Sequence, residues 1–194
     1  MIVYTIGHSN HPIDRFLALL QQHEITAIAD VRSTPYSRRN PQFNCKSLAA
    51  ALEARSIAYV SLGKELGARS EDPSCYEDGQ VQYRRLAQTP LFNQGIERVM
   101  TGTERYRIAL MCAEKEPLDC HRTLLVSRAL ETKGAAIIHI LADGSTETHH
   151  ETMLRLVDKT GLAKSDLFAD LAALVDAACA IHEQKIAYRL PTAH

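Results

Sequence analysis

Short apolar runs alternate with amphipathic stretches along this chain, and that alternation restricts the fold more than any other feature. Ile2–Ile6 is a β-branched run closed by Gly7 and reads as a first strand. Pro12 then stands where a first helical turn tolerates proline, and Ile13, Phe16, Leu17 and Leu20 follow at helical spacing. Ile25–Val31 lacks polar alternation, as a strand covered on both faces does. After a polar loop over Arg32–Asn44, Leu48, Leu52 and Arg55 mark a helix and Ile57–Leu62 a third strand. Gly63–Gly79 reads as a long loop, and Val81–Gln88 and Leu91–Met100 as two short helices. Arg105–Cys112 gives a fourth strand. Asp119 is placed to cap a helix that runs to Lys133 and stops at Gly134. Ala136–Leu141 is a fifth strand, Asp143-Gly144 signals a turn, and two terminal helices follow at about 149–160 and 165–185.

Strands that alternate with helices pair in parallel through right-handed crossovers. The expected architecture is therefore α/β: a single Rossmann-like doubly wound domain over 1–194, with about five mostly parallel strands, helices on both faces and two C-terminal helices. Residues 1–145 would form the core and 146–194 a helical extension, with the first strand central and next to the fourth. Ligands of such sheets bind beyond the carboxyl ends of the strands, at a topological switch point.

Composition narrows the partners. The formal net charge of −1 gives no global field toward nucleic acid or an anionic membrane, so anion binding has to come from local clusters. Trp is absent and aromatic residues make up 6%, which argues against a single-strand binder built on stacking platforms. Five cysteines, at 45, 75, 112, 120 and 179, are odd in number and show no disulfide framework. They read as reduced thiols of a cytoplasmic protein. The apolar start, Met1–Ile6, is short and lacks a basic leader, and no apolar run approaches the length needed to span a bilayer.

The residues that follow each strand are strongly polar, and a parallel sheet would deliver them to one rim. They are His8, Ser9 and Asn10 after the first strand; Asp30, Arg32, Ser37 and Arg38 at the second; and Arg69 in the loop after the third. Cys112 and Glu114 follow the fourth, and then Cys120, His121 and Arg122. With Asp119 as N-cap, Cys120 would sit in a first helical turn, where backbone N–H groups and the helix dipole favour a thiolate or a bound anion. On this reading His8, Asp30, Cys112, Glu114 and Cys120 are the catalytic candidates. Arg32, Arg38 and Arg122 offer cationic forks for an anion, joined by Ser9, Asn10, Ser37, Arg69 and His121. The bland alternatives are a capped helix with a small buried thiol, a solvated loop, and an Asp30 that only pairs with an arginine. His8, Cys112, Cys120 and His121 are all ligand-type side chains. No C-x-x-C or H-x-x-x-H spacing appears, so no metal site is assigned and no cofactor is identified.

Several of these stretches together resemble a known family: Thr5-Ile6-Gly7-His8-Ser9-Asn10, Asp30-Val31-Arg32-Ser33 with Pro35 and Ser37-Arg38, Pro41-Gln42-Phe43, Leu62–Arg69, and above all Leu110–Arg122, with His139-Ile140 and Asp143-Gly144 closing the match. The chain is similar over about residues 1–150 to the family called domain of unknown function 488 (DUF488), with Ala68 where many relatives carry a glycine. The resemblance implies a Rossmann-like fold with a polar pocket built by these motifs, and supplies no reaction. Three readings follow. The first is a small enzyme acting on an anionic, phosphate-bearing substrate such as a nucleotide or a nucleic-acid end. The second is a non-catalytic nucleotide or nucleic-acid sensor using the same arginines. The third is a metal-dependent hydrolase with His and Cys ligands. The expected partner is a small-molecule or nucleic-acid anion and not a membrane. The apolar stripe Leu167, Phe168, Leu171, Leu174, Val175, Ala178 and Ile181 is compatible with a homodimer but does not indicate one.

Overall fold

A computed structural model describes residues 1–162 and 170–191. Its strands are β1 (Ile2–Gly7), β2 (Ala27–Asp30), β3 (Ala58–Ser61), β4 (Tyr76–Glu77), β5 (Gln80–Val81), β6 (Ile108–Cys112), β7 (Ala136–Ile140) and β8 (Thr146–Thr148). The helices are α1 (Ile13–Gln22), α2 (Cys45–Glu53), α3 (Gly63–Leu66), α4 (Tyr83–Leu86), α5 (Pro90–Gly102), α6 (Arg128–Thr132), α7 (His149–Thr160) and α8 (Leu171–Ile186). The main sheet has the order β3-β2-β6-β1-β7-β8. Its first five strands are parallel, and β8 returns antiparallel to β7. The five expected strands are present, and the first lies beside the fourth (β6), as the alternation implies.

Each face of the sheet carries its own core, and alternate residues along a strand feed opposite cores. Val3, Ala29, Leu110 and Ile137 pack against α3 to α8 on one face. Tyr4, Ile28, Ala109 and Ile140 pack against α1 and α2 on the other. This division decides on which side each strand-end side chain emerges. Of the C-terminal stripe, Leu174, Val175 and Ala178 pack on the first core while Leu171 and Ile181 stay exposed; Leu167 and Phe168 lie outside the described residues. No helix among the described residues is long and apolar enough to cross a membrane.

Four local expectations need correction. The loop Gly63–Gly79 is structured: it holds α3, a 3₁₀ turn over Pro73–Cys75 and most of the β4–β5 hairpin. Asp78 (φ 47) and Gly79 (φ 73) both take the left-handed conformation that a two-residue hairpin turn requires. Pairing with that hairpin consumes the start of the expected Val81–Gln88 helix, which begins at Tyr83. The polar edge strand β8 adds a sixth strand where a turn leading straight to a helix was expected. Finally, Asp119 is not an N-cap. It ends a 3₁₀ turn over Pro117–Asp119, and Cys120 follows in extended conformation (φ −137, ψ 140). The helix starts at His121, and its first stretch, Arg122–Ser127, is π-helical. Pro117, with no N–H to donate, opens the 3₁₀ turn that displaces the helix start.

Candidate active site

Two close backbone approaches shape the rim. At Gly7 a Cβ would stand 1.8 Å from the Glu114 carbonyl oxygen, so only glycine lets the segment after β6 cross the end of β1. That segment is tied there by hydrogen bonds from the His8 N–H to the Cys112 carbonyl (2.9 Å) and from the Ser9 N–H to the Ala113 carbonyl (2.9 Å). At Gly63 a Cβ would meet the Arg32 carbonyl oxygen at 2.0 Å, which holds the loops after β2 and β3 together in the same way.

Asp30, fully buried at the end of β2, anchors an arginine. Its Oδ1 accepts from the Arg32 backbone N–H (3.1 Å) and Nε (2.8 Å), and its Oδ2 accepts from Arg32 Nη2 (2.6 Å) and the Tyr59 hydroxyl (2.8 Å). Arg32 Nη2 also donates to the Phe43 carbonyl (2.9 Å), and Nη1 donates to His8 Nε2 (3.1 Å). Burial works against the Arg32 charge, but the Asp30 carboxylate outweighs it and the guanidinium pKa is raised. His8 stacks on Phe43 with ring centroids 4.2 Å apart. Its Nδ1 lies 2.8 Å from the Ser9 carbonyl, which only accepts, so Nδ1 carries the proton and Nε2 faces Arg32 as the acceptor. Burial, followed by the Arg32 charge, lowers the His8 pKa to about 4 against the opposing Ser9 hydrogen bond, so the ring is neutral near pH 7.

The second cluster emerges on the other face, at the end of β6. The Cys112 and Cys120 sulfurs and His121 Nδ1 all lie within 4.8 Å of one another. Nδ1 is 3.7 Å from Cys112 Sγ and 3.9 Å from Cys120 Sγ. His121 Nε2 donates to the Val31 carbonyl (3.1 Å), which leaves Nδ1 facing the two sulfurs; burial works against the ring's charge, but the contact with Cys120 outweighs it and the His121 pKa is raised. Cys120 Sγ contacts Glu114 Oε2 at 3.0 Å and accepts from the Arg122 N–H at 3.4 Å. The two thiols titrate as a pair. Contact with Cys120 and then burial raise Cys112, while Cys112, the Arg122 charge and His121 overcome burial to lower Cys120. Glu114 is exposed as a residue, but its carboxyl turns inward, and desolvation followed by the Cys120 charge raises its pKa.

All the expected site residues except Arg38 fall into three groups. Arg32, Arg69, Cys112, Glu114 and His121 line one cleft of about 230 Å³. His8, Ser9, Asn10 and Ser37 line an adjoining hollow of about 500 Å³ that shares Arg32 and Arg69 with it. Asp30, Cys120 and Arg122 stand behind these walls. Arg122 is 0% exposed; its Nη1 donates to the Glu114 carbonyl (2.8 Å), while its Nη2 stands 3.5 Å from the Lys115 carbonyl, so its fork faces the loop backbone. Arg38 is exposed and is not among the residues lining either hollow.

Sequence reading passed over two tyrosines of the cleft. Tyr83 starts α4, and Tyr188 follows α8. The Tyr188 ring lies under the Arg69 guanidinium at 4.7 Å, and its carbonyl accepts from the Val81 N–H (3.0 Å), so the end of the C-terminal extension closes one wall of the site. The Asp78-Gly79 pair, read only as part of a long loop, is the sequence signal that could have pointed to the hairpin on which it docks.

A family model described as domain of unknown function DUF488 matches residues 12–129, more than half of the chain. No curated protein and no solved structure matches the chain.

Proposed function

Because the chain belongs to the DUF488 family, a family defined without a reaction, its role has to be read from the cleft itself, and we propose that it is a small enzyme acting on an anionic, phosphate-bearing substrate such as a nucleotide or a nucleic-acid end. The observation that carries this reading is one cleft lined by Arg32 and Arg69 together with Cys112, Glu114 and His121. A guanidinium matches the oxygens of a phosphate, and Arg69, stacked over Tyr188, is exposed at the shared wall where an entering anion would meet it. Arg32 is preoriented by Asp30 and turned toward both hollows. Glu114 is the group placed to move a proton, beside the Cys112 thiol and the His121 ring. Asp30 and Arg122 act as positioning residues, one for Arg32 and the other for the loop that carries Glu114.

The test is direct binding and turnover with nucleoside monophosphates and with short oligonucleotides bearing a terminal phosphate. Arg69→Ala is expected to raise Kd or KM at least about tenfold, a charged hydrogen bond being worth about 1.5–3 kcal/mol. Absence of binding at millimolar ligand, or an Arg69→Ala variant that binds as the parent does, refutes the substrate class. Burial of Cys112 (3% exposed) and Cys120 (1%) favours a second reading, a sensor that binds the same anions without turning them over. Stoichiometric binding with no product after prolonged incubation selects it.

A further inference from the structure

From the placement of three side chains we infer that Cys112, Cys120 and His121 form a site for a zinc-class divalent transition-metal ion, with its fourth coordination position open toward the cleft. The inference deepens the reading above and rests on it only for what the ion would act upon.

The distances carry the argument. With metal–sulfur bonds of about 2.3 Å and a metal–nitrogen bond of about 2.0 Å at tetrahedral angles, sulfur and nitrogen lie about 3.5 Å apart. His121 Nδ1 stands 3.7 and 3.9 Å from the two sulfurs, and all three ligand atoms fall within 4.8 Å of one another. The two sulfur–nitrogen separations lie within a few tenths of an ångström of the edge of a coordination tetrahedron. A second observation is independent of them. His121 Nε2 is held at 3.1 Å by the Val31 carbonyl, the outer partner that metal-bound imidazoles take to fix tautomer and ring orientation. A third is local support for sulfur charge: the Arg122 N–H points at Cys120 Sγ. Two soft sulfurs with one imidazole select zinc over magnesium or calcium. Three protein ligands with the carboxyl of Glu114 alongside make the pattern of a reactive site, not a closed structural one. The spacing is invisible to the usual motifs because Cys112 comes from a strand end while Cys120 and His121 are consecutive at a helix start.

The test uses untagged full-length chain, reduced and stripped with chelator, then titrated with Co²⁺ and back-titrated with Zn²⁺. One Co²⁺ per chain is expected, with a thiolate-to-cobalt charge-transfer band, intense four-coordinate visible bands, and their loss on adding zinc. Cys112→Ser, Cys120→Ser and His121→Asn should each weaken binding by more than the roughly 10–100-fold that loss of an outer partner costs. Cys45→Ser should leave binding unchanged. Should a ligand variant fail to fold, alkylation of the parent with mass mapping replaces it: zinc must protect Cys112 and Cys120 together. Sub-stoichiometric cobalt, octahedral-type weak bands, unprotected thiols, or a Cys112–Cys120 disulfide in the freshly isolated protein each overturn the site. Because the spectra need no substrate, failure of phosphate binding leaves the metal site standing, and failure of the metal site leaves anion binding to be judged separately.

Discussion

Removing the carboxylate of Asp30 tests how the arginine of the cleft is held. Asp30→Ala deletes the acceptor of four hydrogen bonds, three of them from Arg32 and one from Tyr59, in a place where Asp30 is 0% and Arg32 6% exposed. What remains is a guanidinium that keeps only the Phe43 carbonyl and the neutral His8 ring as partners. Leaving a buried charge uncompensated costs about 3–5 kcal/mol. With a urea m-value of about 2 kcal/mol/M, a loss of about 4 kcal/mol lowers the unfolding midpoint by about 2 M. The double variant Asp30→Ala/Arg32→Met removes the stranded charge as well, so it should unfold at higher urea than Asp30→Ala alone. Urea melts of the parent, both single variants and the double variant form the cycle. If Asp30→Ala costs less than about 1 kcal/mol, or the two single losses simply add, Asp30 and Arg32 are not one unit and the placement of Arg32 has another cause.

Three further outcomes are expected. Gly7→Ala drives a Cβ to 1.8 Å from the Glu114 carbonyl and should cost about 3 kcal/mol or more, read as a fall in thermal midpoint; an unchanged melt contradicts the close approach. Thr5, His139 and His149 form a buried chain at 2.7 and 3.0 Å, and burial lowers His139 to about 2 and His149 to about 4. Both rings stay neutral in the fold while the unfolded chain takes protons below about pH 6.5. Stability is therefore complete above that pH and falls toward pH 4, by about 2 kcal/mol at pH 5 for His149 alone, and flat urea midpoints between pH 7.5 and 5 would contradict it. Tyr188→Ala removes the ring beneath Arg69 and should weaken anion binding about two- to fivefold, the worth of an exposed cation–π contact, with the fold retained; circular dichroism and calorimetry check both halves.

How far the sequence exposed this molecule depends on which interactions fix each part. Parallel strands buried on both faces have to be apolar throughout, so Ile28-Ala29 and Ile108–Met111 were legible, and with them the rim where Arg32 and Cys112 stand. β8 was not, because Thr146-Glu147-Thr148 is a polar edge strand fixed only by pairing with β7. The Asp119 cap failed because a local propensity lost to the preceding proline turn. Arg122 shows the limit most clearly. An arginine after a helix start suggests an anion clamp, and nothing local says that its fork faces the Glu114 and Lys115 carbonyls. Burial of that kind is set by the crossing at Gly7, a contact between segments over a hundred residues apart.

The position of the cleft follows from where the chain goes after each strand. β6 lies between β2 and β1. The helices that follow β1 and β2 pack on one core, whereas the helix that follows β6 packs on the other. The segments leaving these neighbours therefore part to opposite faces, and a crevice opens over the end of β6. Period-two alternation then divides the chemistry. Asp30 faces the α1–α2 core and ties Arg32 to Tyr59 and Phe43, while Cys112 faces the opposite core and meets the start of the next helix. One side of the crevice is thus a charge held rigid by a carboxylate, and the other is a pair of sulfurs held by an imidazole. The His121 Nε2 contact with the Val31 carbonyl spans the two, joining the residue between Asp30 and Arg32 to the ring beside the sulfurs. A shift of either cluster must move the other, so the variants at Asp30 should disturb the cobalt spectrum of the sulfur site even though no Asp30 atom is a ligand.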